Sequence, residues 1–385
     1  MFSPRLIFSL LWLSQIFLHV IFPDAFYPFE LSTWAVIFFC LVFFNFGTII
    51  SSYLGVARQG SGKATFSTKN EYIGRFFCWF VLLYAVASGL AGLELYRALQ
   101  ELGADMLNLP RVREIVIADF NGSRSLYNLF RVFYLGVGFS IFFVAFSRYL
   151  SRGQLALVLV IGLLSALVTT GRLYLLLYFL AATALLYRAK LISPKGVLFA
   201  GFIFAGLFFL VAILLGKGDG GGGLSVLESV LWNSQVYLMS SVSCFNDYLV
   251  TGHQQIDGGA LLPNVVRESL LNIGINIPPK PSLNPFAEVP VPCNTYTFMF
   301  PLFHDGSFFG VALGSFLIGA AHQYLYLKSA HANRPVWGYL YAISIYALFM
   351  SVFEDAYFSS PGFWVSLWMP PITYYLFQTV RLRIA

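Results

Sequence analysis

Apolar runs of about 20 residues, each long enough to cross a hydrocarbon layer as a helix, recur along nearly the whole chain. They place spans at 6–22, 33–54, 76–98, 127–147, 154–170, 173–187, 196–216, 307–327, 336–353 and 362–380. The composition agrees, with 58% hydrophobic and only 10% charged residues, where soluble domains carry roughly a quarter charged. That leaves too little polar surface for a water-soluble enzyme. The expected fold class is therefore all-α: a polytopic integral membrane protein of about ten transmembrane helices. The first run follows Arg5 and lacks a small-residue cleavage site, so it reads as a retained span.

Charge sets the expected orientation. With both termini cytoplasmic, the inner segments hold Arg5, Arg58, Lys63, Lys69, Arg75, Arg148, Arg152, Arg188, Lys190, Lys195, Lys328, Arg334, Arg381 and Arg383, fourteen of the 23 basic residues. Basic residues concentrate on the cytoplasmic side of membrane proteins, which favours this orientation over its inverse. Nine remain on or near the outer face: Arg97, Arg111, Arg113, Arg124, Arg131, Arg172, Lys217, Arg267 and Lys280. Sixteen of the 17 acids fall outside as well. Each outer arginine thus has two readings, a surface ion pair or a function.

Two outer segments are long, at 99–126 and at 217–306. The chain accordingly divides into 1–216, with spans one to seven, the large helical loop at 217–306, and 307–385, with the last three spans. The large loop opens on the run Gly220-Gly221-Gly222-Gly223, which reads as a hinge. Residues 224–250 then look like an amphipathic helix interrupted by Asn233, Gln235, Asn246 and Asp247. The prolines of Pro278-Pro279-Lys280-Pro281 and Pro290-Val291-Pro292 exclude regular helix and predict an extended, ordered cover. Cys40 and Cys78 read as small buried residues in spans, while Cys244 and Cys293 in the outer loop are able to pair if their side is oxidising. No pair of broken spans is visible.

The chain has no phosphate-cradling glycine loop with its lysine, no paired-cysteine zinc pattern and no nucleophile elbow. Its five histidines lack metal-ligand spacing, so neither metal nor other cofactor is expected. Three stretches remain. In Thr169-Thr170-Gly171-Arg172, Arg172 sits in a tight outer turn, either snorkelling to headgroups or presenting a planar, always-charged fork to a lipid-linked phosphate. In Asn294-Thr295-Tyr296 and His304-Asp305-Gly306, Asp305 has the type and position of a helix N-cap, and the helix it opens would favour an anion nearby. His304 beside it carries an imidazole, the side chain suited to moving a proton. Glu354-Asp355 stands at the outer end of the ninth span, where the helix dipole disfavours a carboxylate, so the pair needs either a compensating cation or a role.

At these residues the chain resembles the bacterial oligosaccharide repeat-unit polymerases, the O-antigen polymerase family. The resemblance rests on the Thr-Gly-Arg turn at Arg172, on the stretch from Asn294 to Gly310, and on many spans with one dominant outer loop in the second half. The family's arginine-x10-glycine pattern is matched by Arg111 and Gly122 in the first outer loop and not by Arg267 in the second. The resemblance implies a metal-independent glycosyltransferase of the bacterial inner membrane whose active site faces the periplasm. Its substrate would be an undecaprenyl-diphosphate-linked oligosaccharide, and a polysaccharide chain-length regulator is an expected partner beside the bilayer itself. Nucleic acid is not expected. Glu354, His304 and Asp305 would supply acid–base chemistry, Arg172, Arg111, Arg113 and Arg267 would hold the diphosphate, and Asn294, Tyr296 and Tyr357 would contact the glycan. Two alternatives stay open: an O-antigen ligase, which uses the same donor, and a flippase or exporter of lipid-linked oligosaccharide, which would carry charge mid-span.

Overall fold

The computed structural model describes residues 2–22, 28–58, 71–103, 108, 111–112, 115, 126–169, 172–214, 226–252, 259–280, 284, 286–289, 291–330, 334–358 and 361–384. In chain order its helices are α1 (Pro4–Ile21), α2 (Leu31–Arg58), α3 (Glu71–Glu101), α4 (Leu126–Ala145), α5 (Arg152–Val168), α6 (Arg172–Arg188) and α7 (Pro194–Leu214). They continue with α8 (Val226–Thr251), α9 (Asn264–Asn272), α10 (Met299–Ser329), α11 (Pro335–Met350) and α12 (Pro361–Ile384). A helix stands at every position where the apolar runs predict a span, and α1, α2, α3 and α10 are long and apolar enough to cross a membrane. The predicted amphipathic stretch at 224–250 is α8. The only β structure among the described residues is a two-residue antiparallel ladder, Ala287–Glu288 (β1) with Pro292–Cys293 (β2).

Packing groups the chain into two units that interleave in sequence: Met1–Lys63, Val230–His331 and Ser344–Pro361 form one, and Ala64–Ser229, Ala332–Ile343 and Gly362–Ala385 the other. In the first unit α2 and α10 cross with their backbones in contact. A Cβ at Gly47 would run into the carbonyl oxygen of Phe316, and one at Gly319 into that of Phe44, so glycine on each partner permits the approach. Large apolar side chains such as Phe309 and Tyr53 stay exposed on these helices, as expected of surfaces that meet lipid. Cys78 is exposed as well and Cys40 buried, so the expectation of burial holds for only one of the two.

The second unit shows how a helix with internal prolines keeps its backbone satisfied. Pro371 in α12 has no N–H for the Leu367 carbonyl one turn earlier. The buried Tyr339 hydroxyl donates to that carbonyl at 2.6 Å. In a hydrocarbon environment an unpaired carbonyl costs several kcal/mol, so the tyrosine replaces a missing backbone bond. Helix α5 starts on a capping box in which Ser151 and Gln154 exchange backbone and side-chain bonds at 3.2 and 2.9 Å.

Two spans differ from expectation in a way that shapes the site. In the eighth, a helical segment starting at Met299 precedes the predicted span and is broken from it at Ser307, whose φ of 51° and ψ of −146° are not helical. The break folds the segment before it back on the helix after it: a Cβ at Gly310 would strike the Leu302 carbonyl. The ninth ends at Met350 instead of 353, and 351–358 follow as an irregular turn.

Candidate functional site

The turn that follows α11 is sunk among the helices of its unit. Trp12, at the middle of α1, donates its indole N–H to the Ser351 hydroxyl at 3.3 Å, and the Phe298 N–H donates to the Ser351 carbonyl at 3.1 Å. Tyr357 reaches His322, well inside α10, with hydroxyl and Nε2 3.1 Å apart. Irregular backbone at that level is tolerated where protein surrounds it. This turn carries Glu354 and Asp355. Asp355 accepts the N–H of Tyr357 at 2.9 Å and of Phe358 at 3.0 Å, which fixes the carboxylate and closes the turn. Burial, and then the charge of Asp355, push the Glu354 carboxyl up to about 7. A carboxyl so tuned exchanges a proton near neutral pH.

Asp305 lies just before the break at Ser307, and its carboxylate is engaged by backbone N–H groups of a distant segment. Its two oxygens accept the N–H groups of Ala260 at 2.6 Å and Leu261 at 2.8 Å. His304 Nδ1 lies 2.8 Å from the same carboxylate. With Asp305 as acceptor, Nδ1 carries the proton and Nε2 the lone pair, the tautomer a general base needs. Tyr248 and Phe300 flank the imidazole, with ring centroids at 6.2 and 5.9 Å. Gly259 meets the other side of the Asp305 carboxylate with φ of 87°, and a Cβ there would come within 2.9 Å of Oδ2. Only glycine fits without displacement.

Arg267 is 1% exposed and donates to the carbonyls of Leu262 at 3.0 Å, Pro278 at 2.8 Å and Gly259. It was expected to hold a diphosphate. In this structure its fork ties the carbonyls of Gly259 and Leu262 to that of Pro278, joining the two ends of the segment 259–280. Asn264 joins the same ends, exchanging bonds with the Lys280 backbone at 2.7 and 2.9 Å. This scaffold presents Lys280, whose ammonium donates to the Ala260 carbonyl at 3.2 Å. Burial pulls that ammonium below its usual range, Asp355 and Asp305 pull it back, and Arg267 adds to the lowering. The Lys280 ammonium thus feels the charges of both Asp355 and Asp305. It was missed as a site residue. The available signal is a cation inside a proline-rich stretch, where helix packing asks for none.

Among the residues expected to contact glycan, Tyr296 is 1% exposed and packs on Phe300 at 4.8 Å, and Tyr357 turns its hydroxyl to His322. Both rings are used in packing in this structure. Asn294 is half-buried between Cys293 and Thr295, whose hydroxyl meets Ser241 at 2.9 Å. Cys293 and Cys244 form a disulfide with Cα atoms 6.2 Å apart, a separation ordinary for the bond. It ties α8 to the segment entering α10.

Of the other arginines expected at the diphosphate, Arg172 and Arg111 lie in the second unit. Arg172 is the first residue of α6, half-buried, with its guanidinium 4.7 Å from the Phe208 ring centroid on α7. Arg111 is exposed, and its N–H bonds the Asn108 side chain at 3.2 Å. The neighbouring Val112 packs with Leu95, Leu99 and Phe130 of α3 and α4. Arg113 and Gly122 lie outside the described residues, as does the glycine run 220–223. Arg97 pairs with Glu94 at 3.7 Å on the surface of α3, an exposed ion pair. No cluster of metal-ligating side chains occurs among the described residues. Comparison of the chain with protein-family profiles, with curated proteins and with solved structures finds no match.

Proposed function

We propose that the protein is a membrane glycosyltransferase that polymerises undecaprenyl-diphosphate-linked oligosaccharide repeat units at the periplasmic face of the bacterial inner membrane. It would span the membrane about ten times with both termini cytoplasmic. The observation that carries the reading is the Glu354 carboxyl, tuned to about 7 beside a carboxylate that backbone N–H groups hold in place. A carboxyl pair buried in an irregular turn, outside any helix, calls for a role. The disulfide adds support, since such bonds persist in oxidising compartments such as the periplasm.

In the proposed reaction Glu354 takes the proton from the acceptor sugar's hydroxyl. The freed oxygen bonds to the anomeric carbon of the growing chain, and that carbon's bond to the diphosphate oxygen breaks. The electron pair leaves on undecaprenyl diphosphate. His304, oriented by Asp305, is the second group able to move a proton. Cations stabilise the charge growing on the leaving group, a contribution of several kcal/mol in such reactions.

The test is the ladder of polymer lengths in cells complemented with each variant at matched membrane abundance. Glu354→Gln preserves size and most hydrogen bonding, and it is expected to abolish polymer. His304→Ala is expected to retain part of the ladder. A normal ladder from Glu354→Gln with none from His304→Ala would transfer the base to His304.

A further inference from the structure

The turn joining α6 to α7 ends its helix on a lysine where glycine is usual. The Leu191 N–H donates to the Leu186 carbonyl at 2.9 Å and the Lys190 N–H to the Tyr187 carbonyl at 3.0 Å. These paired bonds close a helix when the next residue takes left-handed backbone. Lys190 takes it, with φ of 61°, although its Cβ makes that region unfavourable and glycine enters it without cost. The lysine side chain is therefore kept against a local preference.

The same turn lines a cavity of about 440 Å³ with Tyr187, Arg188, Lys190, Leu191, Ile192 and Ser193. A guanidinium, an ammonium and two hydroxyls thus share one concavity, and no carboxylate is among its described lining residues. That is a donor set for phosphate. Exposed apolar residues follow closely in the chain. Leu191 is 52% exposed, and α7 leads away from the cavity carrying Leu198, Phe199 and Phe202 at 64, 66 and 75% exposure. Those three positions share one helix face.

We infer that this cavity binds the phosphate headgroup of an anionic membrane phospholipid. Arg188 and Lys190 contact the phosphate, and the acyl chains lie along Leu198, Phe199 and Phe202. A free phosphate would use only the charged half of this surface. The need for basic residues on a cytoplasmic turn accounts for their charge, but not for a cavity or for lysine in left-handed backbone.

The experiment uses the full chain in a neutral detergent, titrated separately with phosphatidylglycerol, phosphatidylcholine and inorganic phosphate while thermal unfolding is followed. Phosphatidylglycerol is expected to raise the Tm saturably, and the other two are not. Lys190→Gly relieves the backbone, so its lipid-free Tm should match or exceed wild type, while its half-saturating phosphatidylglycerol concentration rises about tenfold, the loss of one charged contact. Arg188→Gln should weaken the shift similarly. Arg152→Gln, which changes a basic residue outside the cavity, should keep the full shift. An unchanged lipid response in Lys190→Gly and Arg188→Gln, the absence of any shift, or an equal shift from inorganic phosphate would each overturn the assignment.

Discussion

At Glu354 the same two causes, burial and the Asp355 charge, bear on both stability and chemistry. The rise from 4.5 to about 7 corresponds to about 3 kcal/mol at 1.36 kcal/mol per unit. Because this acid holds its proton more tightly when folded, its contribution is most favourable below the unfolded value of 4.5, declines as the pH rises toward 7, and is lost above that. Glu354→Gln should therefore raise the Tm most at alkaline pH and little near pH 4.5. A Tm difference that stays constant with pH would remove the burial argument. With Glu354 as the proposed base, activity runs the other way, since the base must be ionised: turnover should climb with pH through a midpoint near 7. Asp355→Asn should move that midpoint to lower pH, by less than the whole shift because burial is the larger cause. Arg172→Lys keeps a charge but loses the planar fork and its stacking on Phe208. Polymer formation should fall about tenfold, or ~1.4 kcal/mol of transition-state stabilisation. A wild-type rate from a normally folded Arg172→Lys would withdraw Arg172 from the diphosphate.

Among the elements, helix placement was legible because span-length apolar runs leave a chain few other solutions, and α8 was legible from its polar interruptions. Even those interruptions have local tasks: the Asn246 side chain accepts from the Thr33 hydroxyl at 2.6 Å and the Glu30 N–H at 3.0 Å, holding the start of α2. The break at Ser307 was not legible, since Asp305-Gly306 looks the same before a helix start as inside a broken one. Nor was the work of Arg267 and Lys280, which depends on carbonyls and carboxylates brought together only by folding. Pro370 and Pro371 signalled a weak point in α12, but its repair by Tyr339 depends on tertiary contact. Tyr339→Phe should lower stability by about 1–3 kcal/mol, the cost of a buried carbonyl left unpaired. Thermal unfolding in detergent reads this directly, and an unchanged Tm would mean that the carbonyl finds another donor. Gly319→Ala should likewise be destabilising, because the added methyl meets the Phe44 backbone and cannot be relieved by turning a side chain.

For the molecule as a whole, the composition and the apolar helices identify a membrane protein, while sidedness rests on the distribution of lysine and arginine. Topology reporters fused at Ala385 and inserted in the run 220–223 should report opposite sides, cytoplasmic and periplasmic. A cytoplasmic signal from the glycine run would invert the second half and take the site with it. Function is tested most directly with the purified protein and a lipid-linked oligosaccharide repeat unit, without added metal, by resolving products by length. The expected result is a ladder extending over many repeats, release of undecaprenyl diphosphate in step with each linkage, and neither from Glu354→Gln. Wild-type protein that is folded, supplied with its repeat unit and still forms no linkage, or that stops after transferring a chain once to a different acceptor, would contradict it.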